Sequence, residues 1–150
     1  MLSTLLKLSL LVASWNVVLS INACHTYTDR LYRVLRPDEN CNTGLWAKDR
    51  TAHKSLEDHV GNGSTPGFKS QFISTTTEYG IARKWQSKNR NLRIVSVSRN
   101  SINNAGCKVY DLNVKAVTDR YLKSWKAKNY ARASCEVVLQ CSRALHCNYV

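Results

Sequence analysis

Apolar residues along this chain fall mostly in short runs rather than in long helical stripes. Five runs have the β-branched, aromatic or alternating character of strands: 30–35 (RLYRVL), 71–74 (QFIS), 92–98 (LRIVSVS), 107–112 (CKVYDL) and 135–141 (CEVVLQC). The last is the strongest, with Val137, Val138 and Leu139 at its centre. Other stretches repeat with a helical period. Leu56 and Val60 mark a short helix over 52–60, with Thr51 placed to cap it. Ile81 and Trp85 lie four apart in EYGIARKWQS (78–87), preceded by Thr75 and Glu78 at the spacing of a capping box. Val117, Tyr121, Trp125 and Lys128 predict a helix within 114–131, with lysines around the rest of the cylinder. The segments 36–44 and 61–67 are rich in turn formers. The pattern predicts a mixed α+β domain with a strand-rich core, a few helices, no internal repeat and no long linker.

Residues 1–20 do not belong to that pattern. They carry one cation, Lys7, then a long apolar stretch, and no acid occurs before Asp29. Ser9, Ser14 and Asn16 interrupt the stretch and small residues follow it. This is the layout of a secretory signal peptide cleaved after Ser20 or Ala23. The expected organisation is therefore a leader over 1–23 and one domain over 24–150. No later run is long enough to span a bilayer, so the mature chain is expected to be soluble and extracellular.

The six cysteines, Cys24, Cys41, Cys107, Cys135, Cys141 and Cys147, gain meaning from that leader. An even count in a secreted chain predicts up to three disulfides, with 15 pairings open. No CxxC occurs and histidines are poorly spaced beside the cysteines, so the sequence points to no metal site. Asn62-Gly63-Ser64 is a glycosylation acceptor within the loop over 61–67. The net charge is +12, of which the leader contributes only Lys7. Such a surface attracts polyanions of any kind, nucleic acid and acidic proteins included.

Three of the strand-like runs each carry one polar group out of keeping with its neighbours: Arg33 within LYRVLR, Ser74 at the end of QFIS, and Glu136 at the start of CEVVL. A charge within an apolar strand is costly unless it is paired or faces a polar cleft. Each has an ordinary explanation taken singly. Arg33 could pair with Asp29 or Asp38, the threonines could cap a helix, Glu136 could face solvent, and His59 could simply end a helix.

Taken in order, these residues resemble the mono-ADP-ribosyltransferases, in the Arg–Ser–Glu branch typified by the A subunits of cholera toxin and heat-labile enterotoxin. RLYRVLRPDEN is similar to the opening strand and loop of that branch, and Gly44-Leu45 falls where its members have the same pair. DHVGNG (58–63) resembles their aspartate–histidine stretch, QFISTTT their Ser-Thr-Ser strand, and SCEVVL the strand of the catalytic glutamate. The ordered resemblance spans about 30–140.

The resemblance implies a split β-sandwich with flanking helices, holding NAD as substrate between two small sheets. It assigns Glu136 to the oxocarbenium-like ribose, Arg33 to the phosphates, and Ser74 to the orientation of Glu136. Thr75 and Thr76 would line the nicotinamide site, and His59 would lie near the nucleotide. Arginine-modifying members carry a second glutamate two positions before the catalytic one, where this chain has Ser134. Serine is no strong base toward a guanidinium. The acceptor is left open among water, an acidic protein and nucleic acid. Two other classes stay open. One is an inactive relative that binds polyanions or cell surfaces. The other is a secreted basic ribonuclease or antimicrobial protein, although His25, His53, His59 and His146 show no spacing for an acid–base pair.

Overall fold

The computed structural model describes residues 23–150. The predicted leader lies outside the described residues, apart from Ala23. Six strands form one antiparallel sheet: β1 (Arg30–Val34), β2 (Ile73–Thr76), β3 (Ile94–Ser98), β4 (Lys108–Asp111), β5 (Glu136–Gln140) and β6 (Asn148–Tyr149), in the order β4-β5-β2-β1-β3-β6. Five helices accompany it: α1 (Leu56–Asn62), α2 (Tyr79–Ser87), α3 (Arg99–Asn104), α4 (Lys115–Tyr121) and α5 (Trp125–Ser134).

The ladder is uneven. β1 pairs with β3 along its whole length, from Arg30↔Ser98 to Val34↔Ile94, and β2 pairs with β5 from Ile73↔Leu139 to Thr76↔Glu136. The two blocks meet at a single pair, Tyr32↔Thr76. Beyond that pair β1 and β2 part, and the gap opens next to Ser74.

Strand alternation builds two cores. Ile73, Val137 and Leu139 point to the side of Leu31, Leu35, Val95, Val97 and Ile102. Phe72 and Val138 point to the other side, against Leu56 and Val60 of α1, Ala127 and Ala131 of α5, and Leu122. Three disulfides, Cys24–Cys135, Cys41–Cys147 and Cys107–Cys141, fasten the periphery. The first ties the N-terminal segment to the residue before Glu136. The second holds β6, only two residues long, beside β3. No described helix is long and apolar enough to cross a membrane.

Four local expectations are corrected by identifiable competitors. Thr51 does not cap α1. Its hydroxyl donates to Asp49 Oδ1 at 2.7 Å in a separate turn, and Ser55 caps instead by accepting from Asp58 N at 3.0 Å. β2 does not stop at Ser74 but continues through Thr75 and Thr76. The capping box is not formed. Glu78 is the N-cap of α2 and makes no side-chain cap bond, while Thr76 Oγ1 accepts from Glu78 N at 3.1 Å. The helix expected over 114–131 is broken, because Glu57 reaches across from α1. Its carboxylate takes the backbone N–H groups of Lys123 and Ser124 at 2.6 and 2.8 Å, and Ser124 then caps a new helix. That turn leaves Trp125 79 % exposed and buries Ala127 and Ala131 in its place. The short polar helix α3, RNSINN, gave no apolar period. Ser98 starts it by accepting from Ser101 N, and only Ile102 is buried.

Leu139 is fully buried in the first core, on the strand that carries Glu136. Leu139→Ala is expected to cost about 2–5 kcal/mol, read by urea unfolding, as large-to-small changes in packed cores do.

Candidate active site

Antiparallel pairing of β2 with β5 sets the geometry of the site. Thr76 stands opposite Glu136 and Ser74 opposite Val138. Ser74 and Glu136 are therefore diagonal neighbours on one face of the sheet. Ser74 Oγ donates to Glu136 Oε1 at 2.8 Å. Glu136 is 6 % exposed and, among the described residues, has no cation against it. Burial pushes its carboxyl up to about 7, and the Ser74 hydrogen bond pulls the other way.

His59 extends the line. Its Nε2 lies 2.8 Å from Ser74 Oγ and its Nδ1 2.7 Å from Ser70 Oγ. Ser74 has one hydroxyl hydrogen, and an ionised Glu136 takes it. The hydrogen-bond pattern then assigns the proton of the neutral imidazole to Nε2, which donates to Ser74, while Nδ1 accepts from Ser70. Burial, followed by the nearby charges of Arg33 and Lys48, holds the imidazole down to about 4. His59 is thus neutral at physiological pH. α1 delivers the histidine, and Phe72 packs against its ring at 5.3 Å between centroids. Gly63 keeps the end of α1 close, since a Cβ there would stand 2.6 Å from His59 O.

Arg33 approaches from β1 across the gap and donates from Nη1 to Ser74 O at 2.7 Å. Its Nε and Nη2 engage Glu39, at 3.2 and 2.9 Å for the shorter contacts. Glu39 also takes Arg36 Nη1 at 2.7 Å and Arg36 N at 2.8 Å. The partner of Arg33 is therefore neither Asp29 nor Asp38. Asp38 is held by Arg36 instead, at 2.9 Å. Arg33 ties β1 to β2 where the backbone ladder has ended.

Arg33, His59, Ser70 and Ser74 line one cavity of about 340 Å³, together with Phe72, Trp85 and the cation Lys48. Glu136 lies directly behind Ser74. Arg33, Ser74, Glu136 and His59 thus form one connected cluster. Thr75 does not reach it: the side chain is fully buried and its hydroxyl donates to Val137 O at 2.6 Å. Thr76 shares the face of Ser74, but it is also fully buried and accepts from Glu78 N. Neither lines the cavity. Glu39 and Ser70 carry much of the geometry and were not singled out in the sequence. The acid six residues after Arg33 was a usable signal for Glu39. Ser70 had none, being a single serine in a loop. Among the described residues no group of three or more His, Cys, Asp or Glu side chains is placed to hold a metal.

A second cavity, about 860 Å³, is lined by α2, α4 and α5 and by Cys24 and Cys135. Trp85 lines both cavities. No protein-family model, curated protein or solved structure matches the chain.

Because the folded state raises the pKa of Glu136 above its ordinary 4.5, the carboxyl favours folding fully below about pH 4.5 and loses that contribution as pH rises through about 7. Glu136→Gln is therefore expected to match the wild type in urea unfolding at pH 4.5 and to exceed it at pH 8.5, by up to about 3 kcal/mol. Equal stabilities at both pH values would contradict a desolvated carboxylate.

Proposed function

We propose that this chain is an NAD-dependent enzyme that cleaves the nicotinamide–ribose bond, as an ADP-ribosyltransferase or an NAD glycohydrolase. The observation that carries the reading is the continuous line from Arg33 through Ser74 to Glu136, with His59 attached, behind one cavity. The chemistry of that line suits the substrate. A desolvated carboxylate with no cationic neighbour is poised to meet positive charge that develops only during reaction. The six strands form one sheet and not the two small sheets that the resemblance implies, although β1 and β2 meet at the single pair Tyr32↔Thr76 between its two halves.

On this reading Glu136 stabilises the ribose as it becomes oxocarbenium-like, and it holds a ribose hydroxyl as glycosidase carboxylates do. Ser74 fixes the rotamer of Glu136, and its hydrogen bond opposes the rise in pKa that burial causes. His59 and Ser70 orient the serine hydroxyl. Phe72 and Trp85 supply apolar walls for the nicotinamide ring. Three of the five N–H groups of Arg33 are already engaged by Ser74 O and Glu39. Its main role is then to position Ser74, with two N–H groups left for a phosphate. Lys48, whose amine among the described residues meets only Phe68 O at 3.4 Å, is the freer cation at the cavity wall. Thr75, whose hydroxyl is taken by Val137 O, is given no binding role on this reading. A ribonuclease is less well supported, because His59 is the one histidine that lines either described cavity.

Nicotinamide release from NAD by the purified protein tests the proposal. Release should rise with pH through about 7, since the ionised carboxylate is the active form. Glu136→Gln should reduce it by about 10²–10³-fold or more, the scale on which preorganised electrostatic groups act. Ser74→Ala removes the hydrogen bond that lowers the Glu136 pKa, so its pH profile should move to higher pH. Absence of release between pH 6 and 9, or release indifferent to Glu136→Gln, overturns the reading.

A further inference from the structure

The larger cavity carries chemistry that the NAD reading leaves unused. Glu136 itself lines neither cavity; its hydrogen-bond partner Ser74 lines the smaller one, and its chain neighbour Cys135 lines the larger. Four cations line the larger cavity, Lys84, Lys115, Lys128 and Arg132, against two acids, Glu78 and Asp119. Both acids are engaged. Lys115 and Lys128 hold Asp119, and His25 meets Glu78 at 2.7 Å. Among the described residues, the side chains of Lys84 and Arg132 make no ion pair or hydrogen bond. Asn113 adds an amide whose Nδ2 and Oδ1 are both shielded from solvent without a partner. A buried amide left so is unusual and calls for a ligand or a water.

An acceptor that enters here meets positive charge and no free base. A guanidinium or ammonium nucleophile would be repelled, and Ser134 offers it no deprotonation. A phosphomonoester has the opposite properties. It is attracted by Lys84 and Arg132, and its oxygen is already anionic, so no proton need be removed before attack. Trp85 offers a face for a base.

We propose that the larger cavity binds the phosphomonoester end of a nucleotide or oligonucleotide, and, resting on the NAD reading above, that this phosphate accepts the ADP-ribose. A phosphate oxygen lone pair forms the new bond to the ribose C1′. The C1′–N bond breaks, its electron pair leaves with nicotinamide, and nicotinamide departs neutral. The phosphate loses one negative charge as it is esterified, and no proton moves.

Binding and transfer are measured separately. The Glu136→Gln protein, in which turnover is suppressed, is titrated without NAD with 5′-AMP, with a short 5′-phosphorylated oligonucleotide, with its unphosphorylated form and with a phosphoserine peptide. Calorimetry is expected to show at least tenfold tighter binding of the phosphorylated nucleotides than of the unphosphorylated strand. The two phosphorylated forms tell a free nucleotide from a strand end. Adding Lys84→Ala and Arg132→Ala should weaken binding at least tenfold, with circular dichroism melting used to verify the fold. Equal affinity for the unphosphorylated strand, or no loss in that variant, overturns the site, and preference for the phosphopeptide overturns the nucleotide assignment. Wild-type protein with NAD and the preferred nucleotide should add the mass of one ADP-ribose to it. Nicotinamide release without that mass gain overturns the acceptor role and leaves the NAD reading standing. Nicotinamide release failing altogether removes the NAD reading, and with it the acceptor role, while the binding measurement still decides the site.

Discussion

The hydrogen bond between Ser74 and Glu136 is the interaction on which the rest of this structure turns. It joins β2 to β5 through side chains, on the face where the carboxylate is almost wholly removed from water. A carboxylate placed so costs the fold stability, and little around it offsets that cost: one serine hydroxyl and no cation. Structural acids are usually paired. An unpaired one, raised toward neutrality and backed by an ordered serine and histidine, is the kind of group that functional sites retain.

The surrounding sequence reads as a means of holding that bond. Ser74 is fixed from three directions. β5 pairs with its backbone, Arg33 takes its carbonyl, and His59 meets its hydroxyl. Arg33 is held in turn by Glu39, whose carboxylate also gathers Arg36 and thereby shapes the loop after β1. Ser70 completes the chain at the far side of His59. Each link removes a degree of freedom from the serine, which suits a site whose chemistry depends on a preorganised rather than a mobile carboxylate. The gap between β1 and β2 supplies the space. Where strand pairing stops after Tyr32↔Thr76, Arg33 bridges what the ladder no longer does.

Much of this was legible in the sequence because it rests on local pattern. The five main strands overlap the apolar and β-branched runs that predicted them, with β2 displaced by two residues, to Ile73–Thr76 from the expected 71–74. Arg33, Ser74 and Glu136 stood out as polar groups in those runs, and the mixed α+β class followed. What could not be read depended on partners distant in sequence. Glu57 breaks the expected long helix from 66 residues away in the chain. Asp49 draws Thr51 away from the helix start, and Val137 O engages Thr75, so a run of hydroxyls divides among structural and site roles. The position of Glu39 beneath Arg33 depends on how the loop folds back. The disulfide pairing is likewise a property of the assembled sheet, since nothing in the spacing of six cysteines selects one arrangement among fifteen.

The charge distribution adds a second theme. The chain is strongly basic, yet the smaller cavity has its arginines largely engaged by Glu39 and Asp38. Among the described residues, the cations of the larger cavity without an ion pair or side-chain hydrogen bond are Lys84 and Arg132. The two cavities therefore differ in the charge they offer, and Trp85 is their common wall.

The most direct test of the central claim follows the carboxyl carbon of Glu136 by NMR across pH 4–9, with and without a non-cleavable NAD analogue. The free protein should give a midpoint near 7, and the analogue, bringing the positive nicotinamide against the carboxylate, should move that midpoint down. A midpoint near 4.5 in the free protein, or one that saturating analogue leaves unmoved, would contradict a buried carboxylate poised for NAD.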